Sequence, residues 1–387
     1  MKPIQLWLVL FAISCGHSKA DETSSETPSA GLDYTYISGF NFTNKRVIYE
    51  QKNGFAMFEG DIILGTLAEA RAWKAAIEEA SKTKDTDDSL SRSIIIVGDR
   101  FRWPNNLAPI QLPPYPAPAL IAKVNWAINH WEANTNINFI IRDENNEDQY
   151  PDFINIVEGR GCSSHVGRRR GSQTINLAPN CSFGSTVHEL GHALGLWHEQ
   201  SRADRDTYIT INWENIRAGR ENNFRQHLVD GNDVNDYDYR SIMHYGSHYF
   251  STNGLPTITT IPPGQAIGQR GGLSQGDIIS INQNYPAVSP VAGLNQDAYS
   301  VFLGTPIFID GRNSFDPQDQ ALQFDWDLGD GVSIAQGEAF VTHLYNKRGK
   351  YIVTLTVTDP DANTDQQTAV AVVYGVELIS SAITLLL

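Results

Sequence analysis

Hydrophobic positions along this chain change their spacing several times, and each change marks an element. Residues 4–13 form an apolar run broken only by Gln5 and preceded by one lysine. The run is too short for a permanent membrane span and suits the apolar region of a signal peptide. Residues 16–35 are Ser-, Thr-, Glu- and Pro-rich, which predicts a flexible spacer. Residues 67–80 are Ala-rich with apolar residues at helical spacing, so a helix is expected there. It gives way to a charged stretch, 82–92, suited to protease access. "SIIIVG" then reads as a buried strand. Residues 117–135 place Ile121, Val124, Ile128 and Trp131 on one helical face, and "NINFIIR" and "DFINIVEG" alternate like strands. "STVHELGHALGLWHE" is helical with few polar interruptions, and the residues after it mix Asn, Asp, Gly and Tyr without a period. After a Pro/Gly/Ser-containing linker at 286–295 come "TPIFIDG", "LQFDWDLGDG", "AFVTHLY", "GKYIVTLTVTD" and "QTAVAVVYG". These short alternating runs between Gly, Asp and Asn turns predict a β-sandwich of about 85 residues. The final apolar residues, 376–387, are too few to span a bilayer.

Composition narrows the partners. With 387 residues, 41% hydrophobic and 19% charged, the chain has room for about two or three globular domains. A formal net charge of −15 argues against nucleic acid, because a phosphate footprint needs clustered Lys and Arg. The one dense basic run, "GRRRG" at 167–171, is either a solvated loop or a contact for acidic substrate residues. The apolar run ends in "FAISC", which resembles a bacterial lipoprotein processing box with Cys15 as the lipidated residue; ordinary secretion with cleavage nearby is the alternative. Either way the chain is expected to be exported, secreted or held at a bacterial cell surface or outer membrane, with membrane association only through a lipid anchor. Cys162 and Cys181 then remain, and an isolated pair in an oxidising compartment reads as a disulfide rather than two buried thiols.

The densest chemistry is "HELGHALGLWHEQ". His188 and His192, four residues apart, lie on one helix face with roughly 6 Å of rise, so both imidazoles can reach one metal. His198 would fall about 80° off that face if the helix continued. The chain must turn back, and Gly195 sits where an αL break would allow it. Three neutral nitrogen ligands leave an open position on a single catalytic zinc. Glu189, on the same turn as the first ligand, is placed to act as general base and acid for amide hydrolysis by a zinc-activated water. H-E-x-x-H alone occurs on many unrelated helices; the full H-E-x-x-H-x-x-G-x-x-H string is the metzincin pattern.

The neighbouring residues are more specific. "HELGHALGLWHEQSRADRD", with Glu199, Arg202, Asp204, Arg205 and Asp206, resembles the signature of the astacin family. "SIMHYG" resembles its Met-turn, and "RWPN", "GCSSHVGR" and "LSQGDIISINQNYP" resemble further blocks of one catalytic domain. The resemblance implies an α+β, two-lobed, metzincin/astacin-like fold with zinc in the cleft. It implies Met243 as the floor beneath zinc, and Tyr245 as both a further zinc ligand and a catalytic group that stabilises the oxyanion. It also implies a Cys162–Cys181 disulfide. "FEGDI" resembles the family's propeptide motif, making Asp61 the ligand that occupies zinc's open position and keeps a zymogen latent; a surface turn is the plainer reading. Activation would require cleavage near Arg92–Ser93, the new terminus folding towards Glu199. "FDWDLGDG" and "GKYIVTLTVTD" resemble a PKD domain, an all-β, Ig-like sandwich that binds polymeric substrate or acts as a spacer. Asp-rich turns such as 359–361 are either calcium sites or solvated turns.

The expected organisation is therefore a signal peptide (1–14), flexible linker (15–40), propeptide with its Asp switch (41–92), zinc protease domain (93–287), PKD-like sandwich (288–375) and tail (376–387). The chain is expected to be a monomeric metalloendopeptidase acting on proteins or peptides. A surface-anchored binding protein that kept the fold as a scaffold is the competing class, which the intact Glu189 disfavours.

Overall fold

The computed structural model describes residues 31–37, 45–81, 95–96, 98–227 and 231–375. The expected signal peptide, Cys15, the cut at Arg92–Ser93 and the tail 376–387 lie outside these residues. Over these described residues the chain divides into two compact units, one within 31–103, 109–133 and 140–280, the other within 104–108, 134–139 and 281–375. Among the described residues, no helix is long and apolar enough to cross a membrane.

The first unit opens with a meander of four antiparallel strands, β1 (Leu32–Ile37), β2 (Lys45–Lys52), β3 (Phe55–Phe58) and β4 (Ile62–Thr66), followed by α1 (Leu67–Ser81). The helix is where its spacing predicts it; the strands are an addition to the sequence reading. Their signal is Asn53-Gly54 between alternating runs, with both residues at positive φ (52° and 86°), a combination that favours a tight hairpin. Then come β5 (Ile95–Ile96), β6 (Leu107–Gln111), α2 (Pro118–Glu132), β7 (Asn138–Ile141), β8 (Phe153–Val157), β9 (Cys162–Ser164), β10 (Ser172–Leu177) and α3 (Phe183–Ala193). The strands assemble in the order β1-β2-β3-β4-β9-β10-β8-β6-β7. The meander thus extends the sheet through a parallel junction, Ile62 beside Ser164, and the Ser164 N–H donates to Asp61's carbonyl at 3.0 Å.

In α2, proline fills the first turn, where a missing N–H costs nothing. Its buried face is Leu120, Val124, Ala127, Ile128 and Trp131, so Leu120 takes the inner place expected of Ile121, which is half-buried. Trp131 Nε1 donates to the Val187 carbonyl of α3 at 3.2 Å. Cys162, the first residue of β9, is disulfide-bonded to Cys181, just before the Ser182 hydroxyl that caps α3 by accepting from Ser185 N at 3.0 Å. Beyond α3 the unit has little regular structure: β11 (Ile209–Ile211) pairs with β13 (Ile258–Thr260), β12 (Gly231–Asn232) with β5, and α4 (Gln275–Asn284) comes last.

The second unit holds β14 (Ala298–Phe302), β15 (Ile307–Asp310), β16 (Gln323–Asp327), β17 (Ser333–Gly337), β18 (Phe340–His343), β19 (Gly349–Thr358) and β20 (Thr364–Tyr374). A five-stranded sheet, β14-β20-β19-β16-β17, and the β15-β18 pair enclose a core around Trp326, Ile309, Leu355, Val357 and Ala371. Five of these strands are the five alternating runs; β14 and β17 are additional. The turn after β19 closes on itself, since Asp359 accepts from Asn363 N (2.8 Å) and Nδ2 (2.9 Å), which favours the plain turn over a calcium site.

The disulfide closes a loop with a sequence separation of 19, and a loop of that size stabilises by about 3 kcal/mol in the chain-entropy model. A Cys162→Ser, Cys181→Ser variant should lose about that much in urea unfolding of the oxidised protein. An unchanged midpoint would show that β9 and α3 need no clip.

Candidate metal centre

The centre begins with how α3 ends. Its last helical residue is Ala193, Leu194 is the C-cap, and Gly195 adopts φ of 105°, a conformation open to glycine at no steric cost. Gly195 N donates to the His192 carbonyl at 2.8 Å and Leu196 N to the Gly191 carbonyl at 2.9 Å, the paired bonds of a Schellman stop. The chain reverses and returns His198 to the histidines of α3. Ring centroids of His188, His192 and His198 lie 4.7, 4.7 and 5.4 Å apart. Gly191 permits a close approach on the other side, for a Cβ there would meet Met243 Sδ at 2.9 Å.

Each imidazole has its outer nitrogen engaged. His188 Nδ1 donates to the Ile242 carbonyl (2.8 Å), His192 Nδ1 to the Leu196 carbonyl (2.7 Å) and His198 Nδ1 to a Glu59 carboxylate oxygen (2.8 Å). These acceptors put the hydrogen on Nδ1 and turn each Nε2 lone pair inward. Asp61, on the turn between β3 and β4, meets all three, its oxygens 3.5 Å from His188 Nε2, 3.8 Å from His192 Nε2 and 3.2 Å from His198 Nε2. None of these approaches has hydrogen-bond geometry, so Asp61 Oδ1 and the three Nε2 atoms are buried without a partner.

Four unpaired acceptors within 4.8 Å of one another would be costly as a bare cluster. Two ligands on a tetrahedral zinc, each about 2.05 Å from it, lie about 3.3 Å apart. The observed separations bracket that value, and three imidazoles with one carboxylate are zinc-type donors. The residues present fit the ion.

The remaining expected residues gather around this cluster. Glu189 is 2% exposed and its Oε2 has no partner; burial first, and then the charge of Asp61, push its carboxyl well above the usual range. Met243 lies under α3 at 1% exposure. Tyr245 stacks obliquely on His198, ring centroids 4.6 Å apart, and its hydroxyl donates to the Glu59 carbonyl. Glu199 accepts from Asp238 N (2.8 Å), lies 3.5 Å from Arg202 and borders a small cavity with Asn235, Met243 and Asp277. "GRRRG" is mixed: Arg168 pairs with Asp152, while Arg169 is mostly buried and Arg170 exposed.

Three residues that matter to the geometry escape a sequence reading. Asp277 accepts from Ser241 Oγ (2.7 Å) and Ile242 N (2.9 Å), fixing the turn whose Ile242 carbonyl orients His188. Glu59 and His227 bond to each other (2.8 Å) beside His198. Glu59 stands inside "FEGDI" and could have been suspected there, as could Asp277 inside "LSQGDIISINQNYP"; nothing in the local sequence marks His227.

Comparison with known proteins accords with this geometry. Residues 99–286 match the family model described as Astacin (Peptidase family M12A), and residues 287–373 match a PKD domain model. Zinc metalloproteinase nas-4 of Caenorhabditis elegans is 35% identical over 237 residues, covering 60% of this chain and 70% of its own length. Protein SpAN of Strongylocentrotus purpuratus is 45% identical over 168 residues, covering 41% of this chain and 27% of its own. Among solved structures, high choriolytic enzyme 1, a hatching enzyme zinc-protease from Oryzias latipes, aligns at 39% identity with a TM-score of 0.44, over 48% of this chain and 93% of that one. The chain spans about a quarter to a half of the length of the first curated relatives it matches (27%, 40% and 54%).

Metal uptake should be coupled to a proton. Burial alone would lower His198, but the Asp61 and Glu59 carboxylates push it up to about 9 in the metal-free chain, whereas burial holds His188 near 4 and His192 well below its ordinary value. Only His198 must then deprotonate to bind. Between pH 6 and 9, zinc affinity should rise about tenfold per pH unit, with roughly one proton released per zinc at pH 7, read by calorimetry in buffers of different ionisation enthalpy. A pH-independent affinity would contradict this.

Proposed function

The chain belongs to the astacin family, peptidase family M12A, and on that premise we propose that it is a zinc-dependent endopeptidase made as a latent zymogen. The observation that carries the reading is the set of four buried, convergent, unpaired acceptors, with the unpaired carboxylate of Glu189 one residue from the first histidine. His188, His192 and His198 hold the ion, and Asp61 takes its fourth position.

Zinc, when bound, supplies Lewis acidity for a scissile carbonyl and lowers the pKa of an attacking water. The protein's own groups do the rest. Glu189 takes the proton from the water and delivers it to the leaving amine. Its buried, unpaired state supports that role, because it has no competing partner to surrender. Tyr245 stabilises the oxyanion with its phenol once Glu59 no longer occupies that hydroxyl, and it is a further residue that would hold the ion when no substrate is bound. Met243 packs beneath the histidine helix and keeps the centre's floor apolar.

In this reading residues 41–92 are the propeptide, 93–287 the protease and 288–375 the PKD-like sandwich. Cleavage near Arg92–Ser93 frees the meander and the new terminus turns towards Glu199. Two features support that route: Ile96 N is already tied to the Gly195 carbonyl at 2.9 Å, and burial pushes Glu199 up to about 8, leaving a carboxyl that gains from an arriving ammonium. Export rests on the apolar run at 4–13. Protein substrates are inferred from the family, and a polymeric substrate held by the sandwich from its PKD match.

Glu189→Gln should retain zinc and lower casein turnover by the cleaved protein by about 10²–10⁴-fold; full activity would remove Glu189 from the mechanism. Asp61→Ala should raise turnover by the uncleaved chain, and no rise would show that Asp61 is not the switch.

A further inference from the structure

Asp61 is one of two carboxylates that the β3–β4 turn buries in the centre. Glu59 is the other, and its side chain has no exposure at all. One oxygen accepts from His198 Nδ1 (2.8 Å); the second accepts from His227 Nε2 (2.8 Å) and Ser201 Oγ (3.0 Å). Its carbonyl accepts from the Tyr245 hydroxyl. Every one of these donors lies between residues 198 and 245, across the junction from the meander. Glu59 holds φ of 47°, a left-handed conformation that a non-glycine residue adopts at a cost and that its partners must offset. Phe58 braces the same spot, edge-on to Trp197 (6.3 Å, 90°) and to His227 (5.8 Å, 87°), which stack on each other (4.3 Å, 23°).

We propose that Glu59 is a second latch of the propeptide, one that works without the metal: it clamps the outer nitrogen of His198 to Ser201 and His227, while Asp61 acts mainly through the ion. The proposal rests on the zymogen reading above. Its physical basis is a difference between the two carboxylates. Asp61 approaches three Nε2 atoms with no hydrogen-bond geometry, so its hold depends on a positive charge shared with them, the zinc or, without metal, the weaker charge of protonated His198. Glu59 makes three hydrogen bonds, two of them to imidazoles, and none uses the Nε2 that faces the centre. Bonds to a charged group are among the stronger ones in proteins. The latch also orients the third histidine and raises its basicity as a ligand. The propeptide thereby prepares the ring before zinc arrives, and on leaving it exposes three donors that water must satisfy.

The test is hydrogen–deuterium exchange of residues 55–66 in the full uncleaved chain, in chelator-treated and zinc-loaded forms. Glu59→Gln should speed exchange roughly tenfold to a hundredfold in both forms. Asp61→Asn should do so mainly in the zinc-loaded form, with a much smaller rise in the chelated one. Ser201→Ala, a milder change outside the propeptide, should give a smaller rise in both. Unchanged exchange in α2, Pro118–Glu132 of the same unit, confirms that each variant is folded. Wild-type exchange in chelated Glu59→Gln overturns the latch, as does equal loosening of both forms by Asp61→Asn. If zinc alters nothing in any variant while Glu59→Gln still loosens the segment, the latch stands and the metal-centre reading fails.

Discussion

Four ligand atoms that face one another without a hydrogen bond among them are the constraint on which the rest depends. His188, His192 and His198 Nε2 and Asp61 Oδ1 are buried and unpaired, and such a cluster persists only if a cation satisfies it. Each surrounding feature keeps those lone pairs aimed inward. Three separate acceptors hold the Nδ1 hydrogens outward, and they come from a helix end, a turn and the β3–β4 hairpin. The ligand geometry is thus distributed over parts of the chain distant in sequence.

That distribution explains how the fold serves the chemistry. The disulfide sets β9 against the start of α3, the Schellman stop at Gly195 returns the third histidine, and Asp277 fixes the turn that orients the first. Because β4 joins β9, Asp61 and Glu59 are delivered to the centre by sheet pairing, with two short strands rather than a long flexible loop setting their positions. The orientation of the third histidine and the position of Asp61 thus depend on one sheet junction.

The ligand helix, the turn at Gly195 and the C-terminal sandwich strands are legible in the sequence because each depends on local periodicity or on one special backbone conformation. α2 shows the limit of that logic: its period is clear, but the inner residue is Leu120 rather than Ile121, a shift of one position that packing against α3 decides. The meander β1–β4 escapes it although Asn53-Gly54 marks its hairpin, because its short, half-polar strands alternate weakly. The roles of Asp277 and His227 are not legible, since they exist only once residues 35 and 168 positions away are brought beside them.

X-ray absorption at the zinc edge on the full uncleaved chain tests the central claim most directly. The account predicts one zinc per chain, bound by three imidazole nitrogens and one carboxylate oxygen at about 2.0–2.1 Å, the carboxylate oxygen being lost in Asp61→Ala and replaced by a water oxygen. A shell of different composition, or a spectrum that Asp61→Ala leaves unchanged, would contradict it.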